Sequence, residues 1–185
     1  MDLNEVKEIL GSDFSKNADF IQNVVQSLDL DKDAKILDVG TGRGVMAIIL
    51  AVQGFQVITG EPEGHHWADW QSSAEKVGVR DMIDFQYFNA EDLKFDDKEF
   101  DAIFVFGSLH HIQNKKAAMK QFIRVLKDSG SLIILELTKE GIDSLRERFP
   151  SHPDAVNPED YIKGLDLDEK VIEGRMFNAY CYRKF

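Results

Sequence analysis

Hydrophobic and polar positions along the chain switch between a helical period and short continuous apolar runs. Asp2–Leu10 and Asp19–Leu28 read as helices separated by Gly11-Ser12-Asp13. In the second, Phe20, Val24 and Leu28 share one face, with Ile21 and Val25 beside them. Lys35–Val39 (KILDV) is an apolar run ending in a glycine cluster, which predicts a buried strand. Gly44–Gln53 is apolar nearly all round and predicts a helix packed on both sides. Phe55–Thr59 predicts the next strand, and His65–Val77 a helix with Trp67, Trp70, Ala74 and Val77 inward. Met82–Phe88 and Phe100–Phe106 (FDAIFVF) predict the third and fourth strands. A helix over Asn114–Lys127, using Ala118, Phe122, Val125 and Leu126 and closed by Ser129-Gly130, leads into a fifth strand at Ser131–Leu137 (SLIILEL). Lys139–Phe149 predicts a helix, Pro150, Pro153 and Pro158 mark a loop, and Glu169–Arg175 with Asn178–Lys184 predict two antiparallel strands.

Strands that alternate with helices, and are themselves continuous apolar runs, predict an α/β fold: a doubly wound, mostly parallel sheet covered on both faces. No internal repeat, low-complexity tract or linker interrupts it, so one domain over 1–185 is expected. Within it, 1–30 form amino-terminal helices, 35–137 the core, and 139–185 a helix, a loop and the terminal strand pair. The formal charge of −11, without a Lys/Arg stripe, argues against nucleic-acid phosphates and against an anionic membrane surface as partners. The amino terminus MDLNEVKEIL is acidic and has no basic segment before an apolar stretch, unlike a signal peptide. Cys181 is the single cysteine, which leaves no internal disulfide and favours a reducing, cytoplasmic location.

The segment richest in chemistry is Ile36-Leu37-Asp38-Val39-Gly40-Thr41-Gly42-Arg43-Gly44. A glycine turn between a first strand and its helix lets a ligand approach the backbone closely. Ligands of open parallel sheets sit at the carboxyl ends of the strands. Dinucleotide binders space their glycines G-x-G-x-x-G, whereas here the third comes one residue early and Val45 stands in its place. The Lys-Ser/Thr of a P-loop is also missing. An acid at Asp38 suits the ammonium of an amino-acid ligand. Glu61 lies 21 residues after Gly40, at the end of the second strand, where an acid can take both ribose hydroxyls. Asn89-Ala90-Glu91 follow the third strand, and Phe106-Gly107-Ser108-Leu109-His110-His111 close the fourth.

In this order, from about Lys35 to Leu137, these stretches resemble the class I S-adenosylmethionine-dependent methyltransferases, with the ubiquinone/menaquinone-biosynthesis type as the closest branch. The resemblance implies a Rossmann-like, seven-stranded sheet whose last strand is antiparallel. It implies S-adenosylmethionine as cofactor and S-adenosylhomocysteine as product. It also implies that Gly40, Thr41, Gly42 and Gly44 line the methionine and ribose, that Asp38 orients the methionine moiety, and that Glu61, followed by Pro62, holds the ribose hydroxyls. Ala90 would meet the adenine through its backbone amide, with Asn89 or Glu91 beside it, and Phe106 and Gly107 would flank the methionine portion. Asn89 stands where an aspartate is common.

Methyl transfer from a sulfonium needs alignment and exclusion of water, and some acceptors need a base. His110, just beyond the fourth strand, is the candidate catalytic base, ahead of His111. No metal is expected: His65-His66 and His110-His111 come without a cysteine pair, an H-x-x-x-H or a carboxylate-rich ligand set. No Asn-Pro-Pro-Tyr or Pro-Cys follows the fourth strand, which turns the reading from planar amide or base nitrogens and cytosine C5 toward a small-molecule acceptor. The little chain available to cover an acceptor implies a compact one, or a homodimer whose second copy completes the site. The leading expectation is an S-adenosylmethionine-dependent methyltransferase. The alternative is a non-catalytic S-adenosylmethionine-binding or regulatory protein, and the glycine spacing opposes an NAD-dependent oxidoreductase.

Overall fold

The structure, a computed structural model, describes residues 1–65, 68–165 and 167–184. Close packing groups the chain into two compact units, residues 1–89 and 90–185.

The first unit begins with α1 (Leu3–Leu10), capped by the Asp2 carboxylate, which accepts from the backbone N–H of Asn4 and Glu5 while the Glu5 side chain answers the Asp2 N–H. Gly11, at φ 78°, makes the break, and α2 (Ser12–Gln26) starts directly after it, seven residues ahead of the expected Asp19. Its buried residues are Phe14, Ala18, Ile21, Val24 and Val25, while Phe20 and Leu28 are only half-buried. Of the expected face, Val24 is kept, and the buried side is centred instead on the line from Phe14 through Ala18 to Ile21 and Val25.

Three parallel strands follow: β1 (Ile36–Val39), β2 (Val57–Glu61) and β3 (Ile83–Tyr87), with β2 between the other two. All four residues of β1 are buried. Between β1 and β2 runs α3 (Val45–Val52), with six of its residues buried. The second strand starts two residues later than the expected Phe55, because Gly54 (φ 94°) and the Phe55 N–H, bonded to the Leu50 carbonyl, still belong to the turn out of α3. Glu61 thus ends β2 from within the ladder. The helix expected from His65 is shorter: α4 (Trp70–Lys76) begins where Asp69 caps the Ser72 N–H. Trp70, Ala74 and Val77 are buried as expected, whereas His66 and Trp67 lie outside the described residues.

In the second unit β4 (Phe100–Phe106) pairs in parallel with β5 (Leu126–Leu137), and β7 (Phe177–Lys184) runs antiparallel to β5 on one side and to β6 (Leu167–Ile172) on the other. Helix α5 (Lys115–Val125) is capped by Asn114 and ends before the expected Lys127. Leu126 has already joined the ladder opposite Phe100, and the register then jumps to Ala102–Ser131. Residues 127–130 are an irregularity within the strand, with Ser129 at φ 65°, and not a helix cap. After α6 (Lys139–Arg146), the proline loop holds one unexpected turn, α7 (Glu159–Ile162), opened by Pro158.

The described residues thus carry seven strands, parallel except at the carboxy-terminal pair, as the α/β reading expects. No helix among them is long and apolar enough to cross a membrane.

Candidate functional site

In the first unit the register of β1 and β2 sets Asp38 opposite Thr59 and Val39 opposite Gly60. The Thr59 hydroxyl donates to Asp38 Oδ2 at 2.7 Å and lies 2.8 Å from the Thr41 hydroxyl. The turn after β1 is tied to β2 by its own backbone: the Gly40 and Thr41 N–H groups both donate to the Gly60 carbonyl. Gly40, Gly42 and Gly44 have φ of 91°, 52° and 75°, a left-handed conformation that side chains resist. Gly44 has a second constraint, since a Cβ there would stand 2.8 Å from the Trp70 Cβ. Across this turn the Gly42 N–H donates to Glu61 Oε1 at 2.5 Å. Asp38, Gly40, Thr41, Gly42, Gly44 and Glu61 are thereby brought together around one turn. Pro62 follows on the exposed side, and Asn89, beyond β3, is exposed as well.

Asp38 is fully buried, and its second oxygen, Oδ1, has no hydrogen-bond partner. Burial pushes its pKa up to about 7, the Thr59 hydrogen bond works against that, and the Glu61 carboxylate adds to it. A buried acceptor left without a donor is costly. A ligand ammonium is the kind of group that would satisfy it.

In the second unit Ala90 is buried, and the Glu91 carboxylate accepts the Asn114 N–H at 2.9 Å, at the start of α5. Phe106 packs against Phe177 with ring centroids 4.7 Å apart, and the Gly107 N–H donates to the Leu135 carbonyl. Beyond them a short turn, Leu109–His111, delivers His110 inward. Its Nδ1 lies 2.7 Å from Glu136 Oε1, and both side chains are almost wholly buried. Glu136 Oε1 also accepts the Leu137 N–H, which fixes the carboxylate. His110 Nε2 is buried and has no partner.

His111 and His152 pack around the same ring. Centroid distances are 4.2 Å for His110–His111, 4.9 Å for His110–His152 and 5.3 Å for His111–His152. Desolvation first, then the charges of His110, His152 and Lys115, push His111 down to about 4. His152 is also lowered, chiefly by desolvation, against the Pro153 carbonyl bond that raises it. Cys181 is pushed the other way, up to about 11 by burial, and is an inert thiol. The histidines weighed as a metal set in the sequence are therefore regrouped: His65 is exposed in a turn, His66 is not described, and His152 joins His110 and His111.

Three residues of these clusters escape the sequence reading. Thr59 and Glu136 leave a signal, a polar group inside an apolar strand. His152 leaves none, because it meets His110 only through the course of a proline loop.

The sequence matches the methyltransferase domain family over residues 11–169. The chain belongs to this family. Among its relatives are a demethylmenaquinone methyltransferase of Clavibacter sepedonicus, 29% identical over 129 residues (67% of this chain, 49% of that protein), and a ubiquinone/menaquinone biosynthesis C-methyltransferase of Shewanella piezotolerans, 32% identical over 142 residues (72% and 55%). The chain thus spans about half the length of the curated relatives it matches. A solved SAM-dependent methyltransferase from Aquifex aeolicus has the same fold, with a TM-score of 0.69 at 17% identity, over 99% of this chain and 98% of that one. This methyltransferase-family chain thus has the class I, Rossmann-like fold, with ubiquinone/menaquinone-biosynthesis enzymes among its relatives, and family and fold imply S-adenosylmethionine as the cofactor.

Proposed function

We propose that the chain transfers a methyl group from S-adenosylmethionine to a small-molecule acceptor. The observation that carries this reading is the Asp38–Gly44 turn under Glu61, with a buried carboxylate oxygen left over for a cation. Asp38 receives the ammonium of the amino-acid moiety. The backbone of Gly40, Thr41, Gly42 and Gly44 admits the ligand where side chains would block it. Glu61 exchanges its bond to the Gly42 N–H for the ribose hydroxyls, with Pro62 and Asn89 next in line along β2 and β3. Bound S-adenosylmethionine supplies a methyl group already activated on a sulfonium, so the protein's work is alignment and the handling of a proton.

His110 is the proton acceptor. Its Nδ1 is committed to Glu136, which keeps the lone pair on Nε2. Glu136 is a positioning residue: it fixes the ring's tautomer and stabilises the charged imidazolium that forms. The methyltransferase names of the relatives favour transfer over a purely ligand-binding role. One domain over 1–185, working in a reducing cytoplasm, completes the reading. It is supported by a family match that runs through both units and by the lone, half-buried Cys181.

The test is a screen of small hydroxyl, amine and carbon-acid acceptors with S-adenosylmethionine, read by formation of S-adenosylhomocysteine. Turnover with at least one acceptor is expected, and it should fall in His110→Ala while S-adenosylhomocysteine still binds. Full turnover in His110→Ala would remove the base role, and binding without turnover on any acceptor would return the chain to a ligand-binding role.

A further inference from the structure

The geometry points to a transition-metal site at His110, His111 and His152, built to take a zinc-like divalent cation through three imidazole nitrogens. The three ligand atoms lie within 4.8 Å of one another. Nitrogens at the usual distance of about 2.0–2.1 Å from one tetrahedral ion stand roughly 3.4 Å apart, so modest ring rotations close the set. His111 is exposed and His152 half-buried, which leaves both rings room to turn.

Two of the three rings already present the correct nitrogen. His152 Nδ1 lies 2.9 Å from the Pro153 carbonyl; a carbonyl only accepts, so Nδ1 carries the proton and Nε2 the lone pair. His110 Nδ1 is likewise held by Glu136, and its Nε2 is buried without a partner. A histidine whose far nitrogen is held by a carboxylate is the usual arrangement behind a metal ligand, because the carboxylate fixes the ring and raises its basicity. This buried nitrogen sits among two further imidazoles.

The loop that brings His152 in is itself held. Arg146 donates from Nε and Nη2 to the His152 carbonyl at 3.0 and 2.8 Å, and from Nη2 to Asp154 at 2.8 Å. The His152 N–H donates to the Phe149 carbonyl. The third imidazole is thus positioned by backbone contacts and not left to chance on a mobile tail. Three neutral nitrogen donors select zinc, cobalt, nickel or copper over magnesium and calcium, which prefer oxygen. A three-histidine set also leaves a fourth position for water or an oxygen ligand.

The site stands on this geometry and not on the proposed methyl transfer, but the two meet at one atom. A cation on His110 Nε2 takes the lone pair that proton abstraction needs, so zinc should inhibit turnover and a chelator should restore it.

The experiment titrates the chelator-treated chain with CoCl2, read by its visible absorption, and with ZnCl2, read by calorimetry. One equivalent is expected, with a tetrahedral cobalt spectrum and no uptake of MgCl2. His152→Ala and His111→Ala should each weaken zinc binding at least tenfold. Their melting temperatures without metal and their S-adenosylhomocysteine binding should stay near wild type, which shows that the variants fold. No uptake by the wild-type chain, or unchanged affinity in His152→Ala, overturns the site. Loss of S-adenosylhomocysteine binding with zinc binding intact would instead overturn the functional reading alone.

Discussion

Replacing Asp38 with asparagine should make the ligand-free protein more stable at alkaline pH and less able to hold its donor. Burial, opposed by Thr59 and reinforced by Glu61, lifts the Asp38 pKa from 3.8 to about 7. The folded chain therefore keeps a proton that the unfolded chain has released, and stability falls as pH rises through that window. About three pH units at about 1.4 kcal/mol each set a ceiling of about 4 kcal/mol. Of this, roughly 2–3 kcal/mol falls between pH 5 and pH 8. Asparagine has no such titration and still offers an oxygen to the Thr59 hydroxyl. For a chain of this size the gap in Tm between variant and wild type should widen by about 5–10 °C from pH 5 to pH 8. Thermal melts at four pH values, followed by circular dichroism, measure it, and every other titrating group cancels in the comparison. The same variant should bind S-adenosylmethionine at least about tenfold more weakly, because a hydrogen bond to a charged group contributes about 1.5–3 kcal/mol. A gap in Tm that stays constant with pH would refute the argument, since it would mean that the buried carboxylate is not strained in the folded protein.

Three further perturbations probe other parts of the structure. Gly60→Ala places a Cβ 2.0 Å from the Gln86 carbonyl oxygen across the β2–β3 ladder, and urea unfolding should show a loss of about 3 kcal/mol, the upper end for overpacking. Arg124 joins the Leu93 and Phe95 carbonyls, at 2.8 and 2.9 Å, to the Gln121 side chain; Arg124→Lys cannot span two carbonyls and should lose about 2 kcal/mol in the same assay. With an acceptor in hand, His110→Ala should lower kcat by about 10²–10⁴, and Glu136→Gln should lower it less while leaving S-adenosylhomocysteine binding unchanged. An unchanged kcat in Glu136→Gln would mean that the pair only packs.

The strand–helix alternation was legible because the most buried strands are continuous apolar runs, as in FDAIFVF, which no polar residue interrupts beyond its second position. Boundaries were less so, and each shift has a local cause. Gly11 alone separates α1 and α2, so α2 starts earlier than the stretch Ser12–Asn17, polar but for Phe14, suggests. Asp69 is the cap that decides where α4 begins, and Ser129-Gly130 turned out to lie inside a strand that Leu126 enters early. The glycine turn was readable because positive φ leaves glycines at fixed spacing. The His110–Glu136 pair was half readable: the histidine stands at a strand end, but its partner is on another strand, 26 residues away. His152 was not readable at all, since only the path of the Pro150–Pro158 loop places it against His110.

The most direct measurement is isothermal titration of S-adenosylhomocysteine into the folded chain, alongside Glu61→Ala. One molecule should bind per chain, and the variant should bind it at least about tenfold more weakly, as expected for loss of a charged hydrogen-bonding partner. No heat from the wild-type protein, or equal affinity in Glu61→Ala, would contradict the account of the turn at residues 38–44 as the donor's seat.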